Sequence, residues 1–177
     1  MRTAFAIAFL AACGCSKAVV VPSTTTPKNS PGSAEVKLKQ VTIPELEKAI
    51  ADQKGKVVVL DIWFLGCAPC VKKFPTFVEM HNAYAGEGLV CMSVDVEMDE
   101  NEKQDKVLEF LKDKQATFAN FILKDDVTTV DAWQKKNDAN ATPSYVAYNP
   151  KGERVPVPFP ITPEAMKVFV KKLLDEK

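Results

Sequence analysis

The sequence predicts an α/β fold built on a central mixed sheet. The run from Val57 to Trp63 is apolar except for Asp61 and rich in β-branched residues, which is typical of a strand buried on both faces. A helix follows this strand, and strands and helices then alternate. The tight turn Asn149 to Gly152 joins the last two predicted strands, so the sheet is expected to end in an antiparallel hairpin.

The elements before residue 96 follow from local signals. The stretch Thr42-Ile43-Pro44-Glu45 predicts a helix start, with Thr42 as N-cap, and this helix should run to about Gln53. After the buried strand, a second helix is expected from Cys67 to about Ala85, kinked by Pro75. Leu89 to Asp95 is the next buried strand. The expected core positions of the two helices are Leu46, Ala49, Ile50, Phe74, Phe77, Val78 and Tyr84.

The second half of the chain predicts three more helices and three more extended segments. A helix should begin within Asp99 to Glu102, and Phe118 to Leu123 should be extended. Asp125-Asp126 predicts another helix start. Strands are expected at Ser144–Tyr148 and 153–157, and Thr162-Pro163-Glu164 begins the last helix. The expected apolar-face positions are Val107, Phe110, Leu111, Met166, Phe169, Val170, Leu173 and Leu174. The helix after Asp126 is expected to hold Val127, Val130 and Trp133.

The first residues predict export. Residues 1–12 combine one positive charge with a short apolar stretch, which is too short to span a bilayer and is typical of a signal peptide. The stretch Leu10-Ala11-Ala12-Cys13 resembles the lipobox of bacterial lipoproteins, and that resemblance implies lipidation of Cys13. The alternative is an ordinary secretory signal. Because Gly14 is not Asp, the resemblance favours the outer membrane in a cell with two membranes.

The composition of residues 13–34 differs from that of residues 35–177. Residues 13–34 are polar and Pro-rich, and they predict a disordered linker that holds residues 35–177 off a membrane surface. The chain has 23 Lys/Arg and 23 Asp/Glu, and the three basic residues before residue 35 leave the domain acidic by three. No basic cluster indicates a nucleic-acid partner. Three cysteines in the domain are too few for a disulfide-stapled scaffold.

The sequence Cys67-Ala68-Pro69-Cys70 carries the clearest chemistry. Two cysteines separated by two residues, where a strand turns into a helix, predict a reactive dithiol, because unpaired N–H groups at a helix start stabilise a thiolate. Taken alone, the same spacing could be half of a zinc site.

In its context, the dithiol resembles the site of the thioredoxin fold. Three stretches carry the resemblance: Leu60 to Pro75 around the dithiol, Ala141 to Val146, which resembles the family's cis-proline loop, and the hairpin turn 149–153. About thirty extra residues between Asp95 and Trp133 resemble the TlpA/ResA-like branch of exported, membrane-tethered thiol oxidoreductases. The resemblance implies a three-layer α/β/α domain over residues 35–177.

The resemblance also implies a role for each site residue. Cys67 would be the nucleophile and Cys70 would resolve the mixed disulfide. Burial in the strand is expected to raise the pKa of Asp61, and the resemblance implies that this acid takes up the proton of Cys70. The alternative is an Asp61 that is satisfied by a local hydrogen bond and has no catalytic role. A cis bond is implied between Thr142 and Pro143, which would present the backbone of Thr142 to an extended substrate. Trp63 and Gly66 are the further substrate-facing candidates. At Gly66 the family commonly has Trp. No cofactor is implied beyond the redox-active disulfide.

The implied partners are thiols and disulfides of exported proteins, including haem-binding apocytochromes, and a membrane electron carrier for re-reduction. A copper or zinc delivery module using the cysteine pair is the alternative, and a non-catalytic assembly domain is a third reading. Cys91 is expected to be inert core, and His81, the sole histidine, an ordinary helix residue. The acidic group is interpreted as a solvated helix start rather than a cation site, and comprises Asp95, Glu97, Asp99, Glu100, Glu102 and Asp105.

Overall fold

A six-stranded sheet organises the domain. The computed structural model describes residues 35–97, 104–158 and 160–176. The strand order is β1-β4-β3-β2-β5-β6. Strands β1 to β4 are parallel to one another, β5 is antiparallel to β2, and β6 is antiparallel to β5, which is the mixed sheet predicted from the sequence. The strands are β1 (Leu38–Val41), β2 (Val57–Trp63), β3 (Leu89–Asp95), β4 (Ala119–Leu123), β5 (Ser144–Tyr148) and β6 (Arg154–Val155). The helices are α1 (Ile43–Ala51), α2 (Ala68–Tyr84), α3 (Gln104–Asp113), α4 (Val127–Lys136) and α5 (Pro163–Asp175).

Several predictions concern segments outside the described residues. They are the signal peptide 1–12, the tether 13–34 with the lipidation site Cys13, and the helix start within 99–102. In the ranges that the structure does describe, no helix is long and apolar enough to cross a membrane.

Helices cover both faces of the sheet. On one face α2, α3 and α5 pack against alternate residues of β2, among them Val57, Val59 and Trp63. On the other face α1 and α4 pack against Val58, Leu60 and Ile62. Every residue of β2 is buried as a result, which is why its sequence is apolar without alternation.

Side-chain caps define three of the helix starts. The backbone N–H of Thr42 donates to Glu45 Oε2 at 2.8 Å, ahead of α1. Asp126 Oδ1 accepts from the backbone N–H of Thr129 at 3.1 Å, and Thr162 Oγ1 accepts from that of Ala165 at 3.2 Å. These bonds satisfy N–H groups that have no partner inside the helix, so the starts predicted from the sequence are confirmed.

Two elements differ from the prediction. Strand β1 was not expected, because this edge strand has only four residues and two of them are polar. Strand β6 has two residues rather than the five of 153–157, since the prolines that follow at 156 and 158 have no N–H to donate. Val127 lies in helix α4 as predicted and is 53% exposed in its first turn.

A buried asparagine fixes strand β4 to its surroundings. Asn120 Nδ2 lies 2.8 Å from the carbonyl oxygen of Ala116, 2.9 Å from that of Phe118 and 3.2 Å from that of Lys37. The hydroxyl of Ser93, on β3, donates to Asn120 Oδ1 at 2.8 Å. One amide therefore satisfies polar groups of β3, of the loop before β4 and of the segment that leads into β1.

We expect Asn120→Ala to lower the free energy of unfolding by about 2 kcal/mol, because it leaves buried carbonyls and the Ser93 hydroxyl without partners. Urea unfolding of the oxidised protein measures the change. Asn140→Ala removes the same amide at an exposed position and should cost less than about 0.5 kcal/mol. Equal stabilities of the two variants would contradict the role of Asn120.

Candidate active site

The dithiol lies where β2 gives way to α2. The chain leaves the sheet after Trp63 and turns through residues 64–66, and the backbone N–H of Cys67 donates to the carbonyl of Phe64 at 3.1 Å. Cys67 is the N-cap of α2, and Pro69 stands in the first helical turn, where its missing N–H costs no hydrogen bond. The site is thereby held between a buried strand and a long helix.

The two cysteines are bonded to each other and differ in exposure. Cys67 and Cys70 form a disulfide, with Cys67 6% exposed and Cys70 1% exposed. The backbone N–H of Cys70 donates to Cys67 Sγ at 3.3 Å. In the reduced form the same N–H, together with the positive end of α2, would stabilise a thiolate on Cys67. The order of exposure agrees with Cys67 as the attacking cysteine and Cys70 as the inner one.

Gly66 leaves room beside Cys67 that an aromatic ring borders. Gly66 is exposed, and a Cβ placed on it would lie 3.2 Å from Cε2 of Phe64 and 4.0 Å from Oε2 of Glu97. Phe64 itself is half-buried and packs on the core around the disulfide. The surface next to Cys67 is therefore bordered by the Phe64 ring and not by a side chain at position 66.

Trp63 supports the site from beneath. Its ring centroid lies 4.8 Å from that of Phe74 and 5.2 Å from that of Phe110, within the core that also holds both cysteines. The sequence-based assignment of Trp63 to substrate contact is corrected, because the residue is 0% exposed and has no surface that a substrate could touch. It packs beside the dithiol, as an aromatic core residue would.

Asp61 is a buried acid in the middle of β2. It is 2% exposed, and its Oδ1 has no hydrogen-bond partner among the described residues. Burial raises the pKa of this carboxyl, and the nearby positive charge of Lys73 lowers it. Burial is the larger effect, and the resulting pKa is about 8. The rise expected from the sequence is therefore present, and the carboxyl titrates close to neutral pH.

Thr142 and Pro143 lie at the same end of the sheet as the dithiol. Their peptide bond is cis, and both residues are half-exposed. The strand that follows, β5, begins at Ser144, which is paired with Ile62. Since β5 is antiparallel to β2, the start of β5 adjoins the end of β2, from which the chain turns to Cys67.

The other candidates remain outside this site. Cys91 is buried and not in a disulfide, and burial raises its thiol pKa far above the ordinary range. His81 is half-buried against Phe118, with ring centroids 5.2 Å apart, and burial lowers its pKa. Across the described ranges, no group of three or more Cys, His, Asp or Glu side chains could hold a metal ion. Asp99, Glu100 and Glu102 lie outside those ranges.

Sequence reasoning missed two residues that face Asp61. Tyr145 is its partner in the register between β2 and β5, and Lys73 contributes the opposing charge from α2. The hairpin turn fixes the register that brings Tyr145 to this position, and Lys73 follows Cys70 by three residues, which places both on one side of the helix. Both signals were present in the sequence.

Comparison with solved structures identifies the fold. The thioredoxin domain of a thiol-disulfide oxidoreductase from Bacteroides vulgatus superposes with a TM-score of 0.58 at 20% identity, covering 70% of this chain and 83% of that one. A thiol:disulfide interchange protein of the thioredoxin family from Chlorobium tepidum TLS gives 0.58 and 20%, with the same coverage. The chain has the thioredoxin fold. The fold class expected from the resemblance is confirmed.

Sequence comparison finds relatives that align with part of this thioredoxin-fold chain. It is 30% identical over 108 residues to the thiol-disulfide oxidoreductase ResA of Bacillus subtilis, covering 61% of this chain and 55% of ResA. It is 38% identical over 72 residues to the chloroplastic thioredoxin-like protein CDSP32 of Arabidopsis thaliana, covering 40% of this chain and 22% of that protein. The chain thus spans about half the length of ResA, and no protein-family model matches it.

Proposed function

We propose that this protein is an extracytoplasmic, membrane-tethered thiol-disulfide oxidoreductase that exchanges disulfides through Cys67 and Cys70 and acts as a reductant. The observation that carries the proposal is the bonded cysteine pair at the N-terminus of α2, in which Cys67 is 6% exposed and Cys70 is 1% exposed. The similarity to ResA supports it, as do solved structures of oxidoreductases with the same fold.

The reaction follows from the placement of the two sulfurs. In the reduced protein the Cys67 thiolate attacks one sulfur of a substrate disulfide and forms a mixed disulfide, while the other substrate sulfur leaves as a thiolate. Cys70 then loses its proton and attacks Cys67 Sγ. The Cys67–Cys70 bond re-forms, and the second substrate sulfur leaves with its electron pair. The substrate gains two electrons and the dithiol loses them.

Two further groups, Asp61 and Thr142, would assist this exchange. Asp61 would accept the proton of Cys70, since a carboxyl that titrates near neutral pH can both take and return a proton there. Thr142 would offer its backbone polar groups to an extended substrate chain, in the manner of an added strand, next to Pro143. The half-exposed position of both residues at the dithiol end of the sheet supports this role.

The cellular setting of the proposal comes from the first 34 residues. A signal peptide over 1–12, lipid on Cys13 and a polar tether over 13–34 would place the domain outside the cytoplasm at a membrane surface. Its substrates would be cysteines of exported proteins, with apocytochromes in cytochrome c maturation as one class. A membrane electron carrier would return the dithiol to its reduced state.

Reduction of insulin by dithiothreitol tests the activity. Catalytic amounts of the purified protein should accelerate the reaction in proportion to protein concentration, as followed by the turbidity of the released chains. Protein alkylated with iodoacetamide in its reduced form is the control and should leave the uncatalysed rate. A rate independent of protein concentration, together with one Cu⁺ or Zn²⁺ retained per cysteine pair through dialysis, would replace the proposal with metal delivery.

The direction of exchange is tested by titrating the dithiol against a glutathione couple. A reductant should have a potential well below that of its compartment, and a value above it would assign the protein as an oxidant.

A further inference from the structure

The buried carboxyl of Asp61 is surrounded by groups from three elements. Tyr145 faces it from β5, and Cys91 lies on the same sheet face in β3. Burial raises the pKa of both groups, and the negative charge of Asp61 raises it further, so the phenol and the thiol are neutral near pH 7. Helix α2 contributes the positive charge of Lys73. Among the described residues, Lys73 is the group whose charge favours the ionised form of Asp61.

Helix α2 places Lys73 over this part of the sheet. Lys73 lies one turn after Cys70, next to the fully buried Phe74. It is half-buried and lines a narrow cleft together with Phe77 and Tyr145. A lysine in this position can pack its apolar stem between helix and sheet while its ammonium remains near solvent.

Lys73 forms no ion pair with another residue of the described ranges. The ion pairs found there within 4 Å join other lysines, and Arg154, to carboxylates. The neighbouring Lys72 is exposed, on the outer side of the same helix. Two adjacent lysines thus differ in surroundings, and only one of them acts on the buried acid.

We propose that Lys73 is a positioning residue for the exchange reaction, stabilising the ionised carboxylate of Asp61 from helix α2 so that this carboxylate can accept the proton of Cys70. The inference rests on the proposed function and adds a residue to it. In the step concerned, the Cys70 S–H bond breaks and the proton moves to Asp61. The Cys70 thiolate then attacks Cys67 Sγ and expels the substrate thiolate.

The test is the titration of Asp61 in the oxidised full chain, followed by the ¹³C shift of its carboxyl carbon. The signal is assigned by its loss in Asp61→Asn. Removing the positive charge in Lys73→Gln or Lys73→Met should raise the midpoint by about 0.5 to 1 pH unit. Lys72→Gln, the matched control, should leave it within about 0.2 unit, and Lys73→Arg should restore the wild-type midpoint.

The rate of product release provides a second test of the role of the Lys73 charge. With about three- to tenfold less ionised Asp61 at pH 7, release of product from the mixed disulfide should slow by up to the same factor in Lys73→Gln, and recover as the pH is raised. Equal midpoints of Asp61 in wild type, Lys73→Gln and Lys73→Met would overturn the inference. A shifted midpoint in a protein that reduces no disulfide would instead contradict the proposed function alone, since this titration needs no turnover.

Discussion

Replacing Cys70 by serine is expected to stop turnover while leaving the first chemical step intact. Cys67, the more exposed sulfur, can still attack a substrate disulfide, but no inner thiol remains to release the product. Insulin reduction should fall on the order of a thousandfold, and a covalent adduct of protein and substrate should accumulate. Non-reducing electrophoresis and intact mass measure the adduct, with Cys13 and Cys15 replaced by serine so that their thiols do not contribute.

Cys91→Ala is the matched control for that experiment. It removes a buried thiol of the same core without touching the bonded pair, so turnover should persist and no adduct should form. The roles of the two site cysteines would be reversed if the adduct formed on Cys70 in a Cys67→Ser variant and not on Cys67 in the Cys70→Ser variant.

The second large effect is a loss of stability with rising pH. Burial raises the pKa of Asp61 from 3.8 to about 8, so between these values the folded protein holds a proton that the unfolded chain has released. The contribution of Asp61 to the free energy of unfolding therefore falls as the pH rises between these values, by about 1.4 kcal/mol per unit. From pH 5 to pH 8 the Asp61 contribution amounts to about 4 kcal/mol.

Asp61→Asn should abolish this dependence, because the amide does not ionise. Urea unfolding of the oxidised protein at pH 5, 6.5 and 8 measures the effect. The free energy of unfolding of the variant, relative to that of wild type, should increase by about 4 kcal/mol from pH 5 to pH 8. Asp131→Asn makes the same change at an exposed position of α4 and should follow the wild-type curve. If wild type and Asp61→Asn had parallel pH profiles, the buried carboxyl would have to titrate at its ordinary value.

Much of the fold could be predicted because its signals are local. The continuous apolar run of β2 indicates burial on both faces, and capping residues such as Thr42, Asp126 and Thr162 define helix starts within a few positions. The cysteine pair is equally local, since its chemistry depends on four residues at a strand-to-helix junction. These features need no knowledge of distant parts of the chain.

The features that could not be predicted depend on long-range pairing. Strand β1 exists because Leu38 to Val41 pairs with Asn120 to Leu123, some eighty residues later, and its own sequence is too short and polar to indicate it. Trp63 was named as a substrate-facing candidate, whereas its complete burial depends in part on Phe110, from a helix beyond the next strand. The spacing of Lys73 from Cys70 can be read from the sequence, but the effect of its charge on Asp61 depends on how α2 packs on the sheet.

The position of β4 bears on how the extra residues between Asp95 and Trp133 could have been gained. The segment between β3 and α4 does not add its strand at the margin of the sheet: β4 is hydrogen-bonded to β1 on one side and to β3 on the other. Excising it would leave β3 and β1 with bare edges, each able to pair with another chain. The segment is therefore not a detachable appendage, and its gain or loss requires the first strand to change partner at the same time.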